Sequence, residues 1–265
     1  MKDYITFLKF DSFSPDELLK HYEQDIADNK KIITETPNLD GLRVAYRDSF
    51  IRQSINSADY SVIDGVPVLW LAKITRKSKF KYKISGSDLT PMVLELANKK
   101  ELTVALFGGK PGVGDRAKTN IEKQYPNVRV VSVLCPEFGF EKDKEVSLRY
   151  IQQINDSKAN IILLCTGFPK TEQFFFSNYD YFGPGLYFNV GATIDFLAGS
   201  VQRAPKWMSK IGFEWLFRLL KDFRRLFKRY WLDFWFLVKM LLLIVFNKKK
   251  ILRLRQDGTQ NECCN

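Results

Sequence analysis

Histidine and cysteine are the scarcest chemically versatile residues in this chain of 265 residues. The single histidine, His21, excludes His-rich metal centres and argues against a Ser-His-Asp hydrolase. The four cysteines are too few and too unevenly spaced for a disulfide scaffold or a zinc finger. No Asp-x-Asp motif occurs, so the common metal-bridged nucleotide-sugar site has no support in the sequence.

Long apolar runs are also missing. The first 19 residues carry Asp3 and Asp11 and contain no apolar core of a signal peptide, so we expect a reducing cytoplasmic environment. The longest apolar stretch, 231–246, is interrupted by Asp233 and Lys239 and is shorter than the about 20 residues that a membrane span needs. The composition is nevertheless 45% hydrophobic and 14% aromatic, which excludes a disordered protein and supplies a core.

Positive charge is concentrated at one end of the chain. The formal net charge is +11, yet residues 1–202 carry only +1, whereas residues 203–255 carry +12 and the last ten carry −2. We therefore expect a core over 1–202, a basic helical appendage over 203–255 and a disordered tail over 256–265. A basic segment on a neutral body indicates an anionic partner, either nucleic acid or a membrane surface.

Short apolar runs alternate with stretches of helical spacing along the first 200 residues. Such alternation predicts an α/β fold, a Rossmann-like core with a mostly parallel sheet flanked by helices. The predicted strands are 31–34, 60–63, 102–107, 128–134, 160–165 and 185–190.

Each predicted strand opens into a loop rich in glycine, proline or polar residues. Because ligands of open α/β sheets bind at the carboxyl ends of the strands, these loops outline one candidate site. Its members are Thr36, Asn38, Asp64, Gly108, Gly109, Gly167 and Asp195. Taken singly, these glycines and aspartates are equally typical of simple turns, and GGKPGVG (108–114) matches neither the dinucleotide fingerprint nor the phosphate loop.

Seven segments, in order, resemble the WecG/TagA/CpsF family of bacterial glycosyltransferases over about residues 32–232. They are TPN (36–38), ADYSVIDGVPVLW (58–70), ISGSDLTP (84–91), LFGGKPGV (106–113), GFPKTE (167–172), GATIDFLAGSVQRAP (191–205) and KIGFEWLFRLLKDFRRLFKRY (210–230). The resemblance implies transfer of a sugar, often N-acetylmannosamine, from a UDP donor to polyprenyl-diphosphate-linked N-acetylglucosamine. It further implies inversion at the anomeric carbon, no metal ion and no cofactor.

The resemblance also implies roles for individual residues. Asp64 occupies the place of the family's proposed general base, which must take the proton of a sugar hydroxyl as the new bond forms. Thr36 and Asn38 match the element beside the reaction site. With these, Lys83, Gly108, Gly109, Gly167 and Asp195 are expected to line the donor site. The chain departs from the family where Lys83 replaces an arginine and Thr171 replaces a glutamine, and both positions bear on donor choice.

The basic segment is expected to close over the site. Arg218, Arg225 and Lys228 are spaced to share one helical face, and cations there stabilise the departing diphosphate in the absence of a metal. Tryptophans and basic residues around 231–246 favour a surface-lying membrane anchor at the cytoplasmic face of the bacterial membrane. A tilted span, a dimer contact and a core helix are the alternatives for this stretch.

The predicted partners are a UDP-sugar, a polyprenyl-diphosphate-linked acceptor and an anionic membrane surface. The sequence leaves a homo-oligomer open and disfavours nucleic acid, because the basic segment is fused to an apolar stretch. Two other functions remain: the same fold transferring glucose or another hexose in capsule synthesis, and a non-catalytic membrane-bound partner in a polysaccharide assembly complex.

Overall fold

The computed structural model describes residues 2–75, 79–202, 204–205, 208 and 214–256, and for Glu214, Arg218 and Arg225 it describes only the backbone. The strands are β1 (Lys2–Ile5), β2 (Leu8–Asp11), β3 (Lys31–Glu35), β4 (Tyr60–Ser61), β5 (Thr103–Gly108), β6 (Arg129–Leu134), β7 (Ile161–Cys165) and β8 (Gly185–Asn189). The helices of the first 200 residues are α1 (Pro15–Ala27), α2 (Leu39–Arg47), α3 (Ser49–Ser57), α4 (Val66–Ile74), α5 (Gly86–Lys100), α6 (Val113–Gln124), α7 (Lys144–Asp156), α8 (Lys170–Ser177) and α9 (Thr193–Leu197). Three more follow: α10 (Glu214–Lys221), α11 (Phe223–Phe246) and α12 (Lys248–Gln256).

Six strands form one parallel sheet in the order β4-β3-β8-β7-β5-β6, and β1 and β2 form a separate antiparallel hairpin. Every predicted strand is present, although the one predicted at 60–63 ends at Ser61. The predicted α/β class with a mostly parallel, helix-flanked sheet is confirmed.

Both faces of the sheet are covered by apolar side chains. Along β7, Ile161 and Leu163 pack into the core on one face, while Ile162 and Leu164 pack into the core on the other. This two-sided burial explains why the central strands read as continuous apolar runs. Each fully buried Leu or Ile contributes about 1.5–3 kcal/mol relative to leaving it exposed.

A third apolar cluster joins the two ends of the chain. It contains Ile5 and Phe10 of the hairpin, residues of α2–α4, and Phe236, Met240 and Ile244 of α11. The long C-terminal helix is therefore packed on the body of the protein along one side.

Polar contacts fix α11 against α2 as well. Nε of Arg43 donates to Oδ1 of Asp233 at 2.7 Å, and the same guanidinium pairs with Asp40. Nζ of Lys239 lies 4.3 Å from the centre of the Tyr46 ring. Because Asp233 is buried, its pKa is raised to about 6 even though Arg43 opposes that shift.

Within the described ranges, no single helix is both long and apolar enough to cross a bilayer. Leu226–Phe246 and Lys248–Gln256 satisfy the length and composition requirement only as a pair bent by 105°.

Candidate functional site

A cleft of about 880 Å³ lies at the carboxyl edge of the sheet, above the ends of β3, β8 and β7. The loops after these strands form its floor and walls, and the C-terminal helices form its remaining side. Ligands of open α/β sheets bind at the carboxyl ends of the strands, which is where this cleft lies. Five of the predicted site residues line it together: Thr36, Asn38, Asp64, Gly167 and Asp195.

Hydrogen bonds hold the loop after β3 in place. The Thr36 hydroxyl donates to the carbonyl oxygen of Asn189 at 3.0 Å, which ties the loop to the end of β8. The Asn38 side chain caps α2 by accepting from the Gly41 amide at 3.1 Å. Asp64 follows β4, and its amide donates to the Pro37 carbonyl oxygen at 3.3 Å. The backbone of the predicted base is thus tied to the loop that carries Thr36 and Asn38.

The opposite wall comes from the segments after β7 and β8. Gly167 has φ of +83°, which L side chains rarely adopt, and it lets the chain turn from β7 into α8. Asp195 lies in the short helix α9, after the turn that follows β8. Gly86 at the start of α5 packs closely on this turn. A Cβ on Gly86 would lie only 3.0 Å from the Val190 carbonyl oxygen, so a larger residue would not fit without a shift.

Two predicted glycines lie beside the cleft and do not line it. Gly108 has φ of +130°, and a Cβ on it would approach the Cys165 carbonyl group to 2.5 Å. Packing of β5 against β7 therefore accounts for glycine at this position without any ligand. Gly109 follows it, and its carbonyl oxygen accepts from Sγ of Cys135 at 3.0 Å.

Two positions at which the chain departs from the family pattern, Lys83 and Thr171, are also outside the cleft lining. Nζ of Lys83 lies 3.6 Å from Oδ2 of Asp88, in the first turn of α5. Thr171 is buried, and its hydroxyl is 2.8 Å from that of Thr166. Both residues contact elements that support the cleft.

The sequence did not single out the buried polar group on the floor of the cleft. Glu35 ends β3, Asn189 ends β8 and Glu172 lies in the first turn of α8. Nδ2 of Asn189 donates to Glu35 at 2.9 Å and to Glu172 at 2.6 Å. The sequence offered one signal for this group: Glu35 and Asn189 are polar residues at the ends of otherwise apolar, buried strands.

Cations reach the cleft from the C-terminal helices. Phe217, Lys221, Asp222, Leu226 and Arg229 line that side. Nε of Arg229 is buried and has no hydrogen-bond partner within the described part of the chain. The predicted Lys228 is exposed and lies outside the lining, and the predicted side chains of Arg218 and Arg225 lie outside the described residues.

The body and the helices therefore contribute lining groups of opposite net charge, since Asp222 offsets only one of the two helix cations. From the body, the ionisable lining groups are acids: Glu35, Asp40, Asp64, Glu172 and Asp195. Lys221 and Arg229 are the cationic lining groups that the structure describes. In the described ranges, no group of three or more His, Cys, Asp or Glu side chains is arranged to hold a metal ion. Such a cleft suits a ligand with a hydroxylated part and an anionic part.

A polar cleft at the carboxyl edge of a parallel, helix-flanked sheet defines a Rossmann-like α/β protein with a ligand site at the strand ends. A sequence model of the glycosyl transferase WecG/TagA/CpsF family matches residues 4–251, and the chain belongs to this family. It is therefore a glycosyltransferase, as the seven motifs predict.

One relative is named N-acetylglucosaminyldiphosphoundecaprenol N-acetyl-β-D-mannosaminyltransferase and comes from Bacillus subtilis (strain 168). The two proteins are 27% identical over 206 residues, which cover 77% of this chain and 76% of that protein.

Proposed function

We propose that this glycosyltransferase transfers a hexose or an N-acetylhexosamine from a UDP donor to a polyprenyl-diphosphate-linked N-acetylglucosamine, inverting the anomeric carbon without a metal ion. The reaction would serve the synthesis of a bacterial cell-surface polysaccharide. N-acetylmannosamine is the favoured sugar, because the name of the Bacillus subtilis relative specifies its transfer to such an acceptor. One observation carries the proposal: Asp64 and Arg229 line the same cleft at the carboxyl edge of the sheet.

In this mechanism Asp64 is the general base. The acceptor hydroxyl attacks the anomeric carbon of the donor from the side opposite the UDP, and its proton passes to the Asp64 carboxylate. The bond between the anomeric carbon and the UDP oxygen breaks as the new glycosidic bond forms. Thr36 and Asn38 lie beside Asp64 and would orient the donor sugar, and Gly167 and Asp195 would line its opposite side.

Lys221 and Arg229 would stabilise the negative charge that develops on the departing UDP. Cations and hydrogen-bond donors aimed at a developing charge are among the strongest contributors to catalysis. The buried, unpaired Nε of Arg229 is an available donor for a phosphate oxygen. Arg218 and Arg225 remain predicted members of this group.

The exposed side of the C-terminal helices would bind the cytoplasmic face of the bacterial membrane. Phe223, Phe227 and Trp231 follow one another at a spacing of four residues, with ring centres 5.0 and 6.4 Å apart. Trp231 and Trp235 are each about half exposed. Exposed aromatic rings on a basic helix are typical of interfacial membrane binding, which would bring the cleft to its lipid-linked acceptor.

The decisive experiment is a UDP-release assay with EDTA present, a short-chain polyprenyl-diphosphate-N-acetylglucosamine acceptor and a panel of UDP-sugars. Acceptor-dependent release from UDP-N-acetylmannosamine supports the proposal. Release from UDP-glucose alone would place the protein in hexose transfer for capsule synthesis. The absence of acceptor-dependent release from every donor, by protein whose thermal unfolding is cooperative, would favour the non-catalytic partner in an assembly complex.

A further inference from the structure

Glu35, Glu172 and Asn189 form a hydrogen-bonded group on the floor of the cleft. Glu35 is 2% exposed and Glu172 is 1% exposed, so neither carboxyl group is hydrated by bulk water. The amide of Asn189 satisfies one oxygen of each. Oε1 of Glu35 and Oε2 of Glu172 are buried, and among the described residues neither has a conventional donor. A proton shared between the two carboxyl groups would satisfy both oxygens at once.

The surroundings oppose a second negative charge. Burial raises the pKa of Glu35 well above its ordinary range, and the neighbouring Glu172 raises it further. Burial raises the pKa of Glu172 to about 8. Three further acids, Asp40, Asp64 and Asp195, line the same cleft. Helix α3 packs on α8 and carries a buried cation, Arg52, which donates to the Ala45 carbonyl oxygen. No described cation offsets the charge of either glutamate.

The arrangement connects three walls of the cleft. Glu35 immediately precedes Thr36, whose hydroxyl donates to the carbonyl oxygen of the same Asn189. Glu172 belongs to the helix that begins just after Gly167 and Phe168, which line the opposite wall. Any movement that separates the two carboxyl groups therefore also moves Thr36 relative to Gly167.

We propose that Glu35, Glu172 and Asn189 form a brace, closed by one shared proton, that positions Thr36 and the Gly167 loop for sugar transfer. The two glutamates are positioning residues, since they act on the substrate through Thr36 and the Gly167 loop. Loss of the shared proton leaves two adjacent charges and opens the brace. The kinetic consequence rests on the proposed function, whereas the existence of the brace does not.

Glu35→Gln is the discriminating variant. The glutamine amide donates to Glu172 in place of the shared proton, while its oxygen still accepts from Asn189. The remaining Glu172 carboxylate then receives two N–H donors, which favour its charged form and lower its pKa. Glu95→Gln on the exposed side of α5 is the matched control, because it removes the same charge at the surface.

The experiment measures UDP release and thermal unfolding for the wild type, Glu35→Gln, Glu35→Ala and Glu95→Gln between pH 5 and about 9. Wild-type turnover should fall as the pH passes about 8. Glu35→Gln should retain neutral turnover within about threefold and lose this alkaline fall, and Glu35→Ala should lose on the order of tenfold or more at every pH. Glu95→Gln should follow the wild type.

Thermal unfolding separates failure of the brace from failure of the proposed function. A pKa that is higher in the folded protein than in the unfolded chain makes stability fall as the pH rises toward the folded value. Wild-type unfolding temperature should therefore decline from about pH 5 to 8 relative to that of Glu35→Gln. If no variant releases UDP but these curves diverge, the brace stands and the transfer reaction is wrong. Parallel unfolding curves, or an unchanged alkaline fall in Glu35→Gln, would overturn the brace.

Discussion

The two sides of the cleft are built in opposite ways. The sheet edge is acidic, buried and held by hydrogen bonds among Thr36, Asn189, Glu35 and Glu172. The C-terminal helices are basic, and they expose aromatic rings away from the cleft. The acidic side suits a proton acceptor and hydroxyl recognition, whereas the basic side suits a departing diphosphate. Neither side alone meets both requirements of glycosyl transfer, so the docking of α11 on α2 becomes part of the site.

Removing the proposed base on the acidic side should have the largest effect. Asp64→Asn nearly preserves shape but cannot accept a proton, so we expect kcat to fall at least about 100-fold while UDP binding changes little. Initial rates of UDP release and isothermal titration with UDP measure the two quantities. Asp180→Asn, on the exposed surface, is the control. If Asp64→Asn turned over substrate at the wild-type rate, the acidic side would not supply the base.

Neutralising Arg229 tests whether the basic side acts on the leaving diphosphate. Arg229→Gln should lower kcat by about tenfold or more, because it removes a charge that acts on the leaving diphosphate. Arg224→Gln, on the exposed part of the same helix, is expected to change turnover less than about twofold. Lys228→Gln tests the expectation from helical spacing that Lys228 acts at the cleft. In the structure Arg229, and not Lys228, lines the cleft. A larger loss for Lys228→Gln would mean that α11 rotates in the working enzyme.

The outward surface of the basic side should govern membrane binding. Trp231→Ser removes an aromatic ring that is 54% exposed, and we expect about fivefold weaker binding to anionic vesicles. Co-sedimentation with phosphatidylglycerol vesicles measures this, and vesicles of phosphatidylcholine should bind both proteins poorly. Trp70→Ser is the control, since Trp70 on α4 is 52% exposed. Equal losses in the two variants would contradict a membrane surface confined to the C-terminal helices.

The smallest effect should come from the contact between Arg43 and Asp233, which joins the two sides. It should appear as a dependence of stability on pH. Burial raises the pKa of Asp233 to about 6, so the folded protein binds its proton more tightly than the unfolded chain does. Wild-type stability should therefore decline relative to Asp233→Asn as the pH rises from about 4 through about 6, and the difference should then level off. Thermal unfolding of both proteins across this range measures it. A difference that stays constant would show that Arg43 fully compensates the buried charge.

The strands and one half of the cleft were predictable, because buried strands and the polar loops after them are local patterns. Thr36, Asn38, Asp64, Gly167 and Asp195 were identified in this way. The pairing of Glu35 with Glu172 was not, since it depends on β8 lying between β3 and β7, which no local pattern encodes. The choice of Arg229 over Lys228 depends on how α11 rotates against α2, and that is set by packing of Phe236 and Met240. The catalytic roles remain predictions.

The central position of β8 has a consequence for how the chain acquires this site during synthesis. Until residues 185–189 leave the ribosome, β3 and β7 have no common neighbour, and each presents an unpaired strand edge. The two halves of the sheet are joined only by a late contact between distant segments, which is the slow kind of step in folding. We therefore expect nascent chains that stop before Gly185 to be the species most prone to aggregate and most dependent on chaperones.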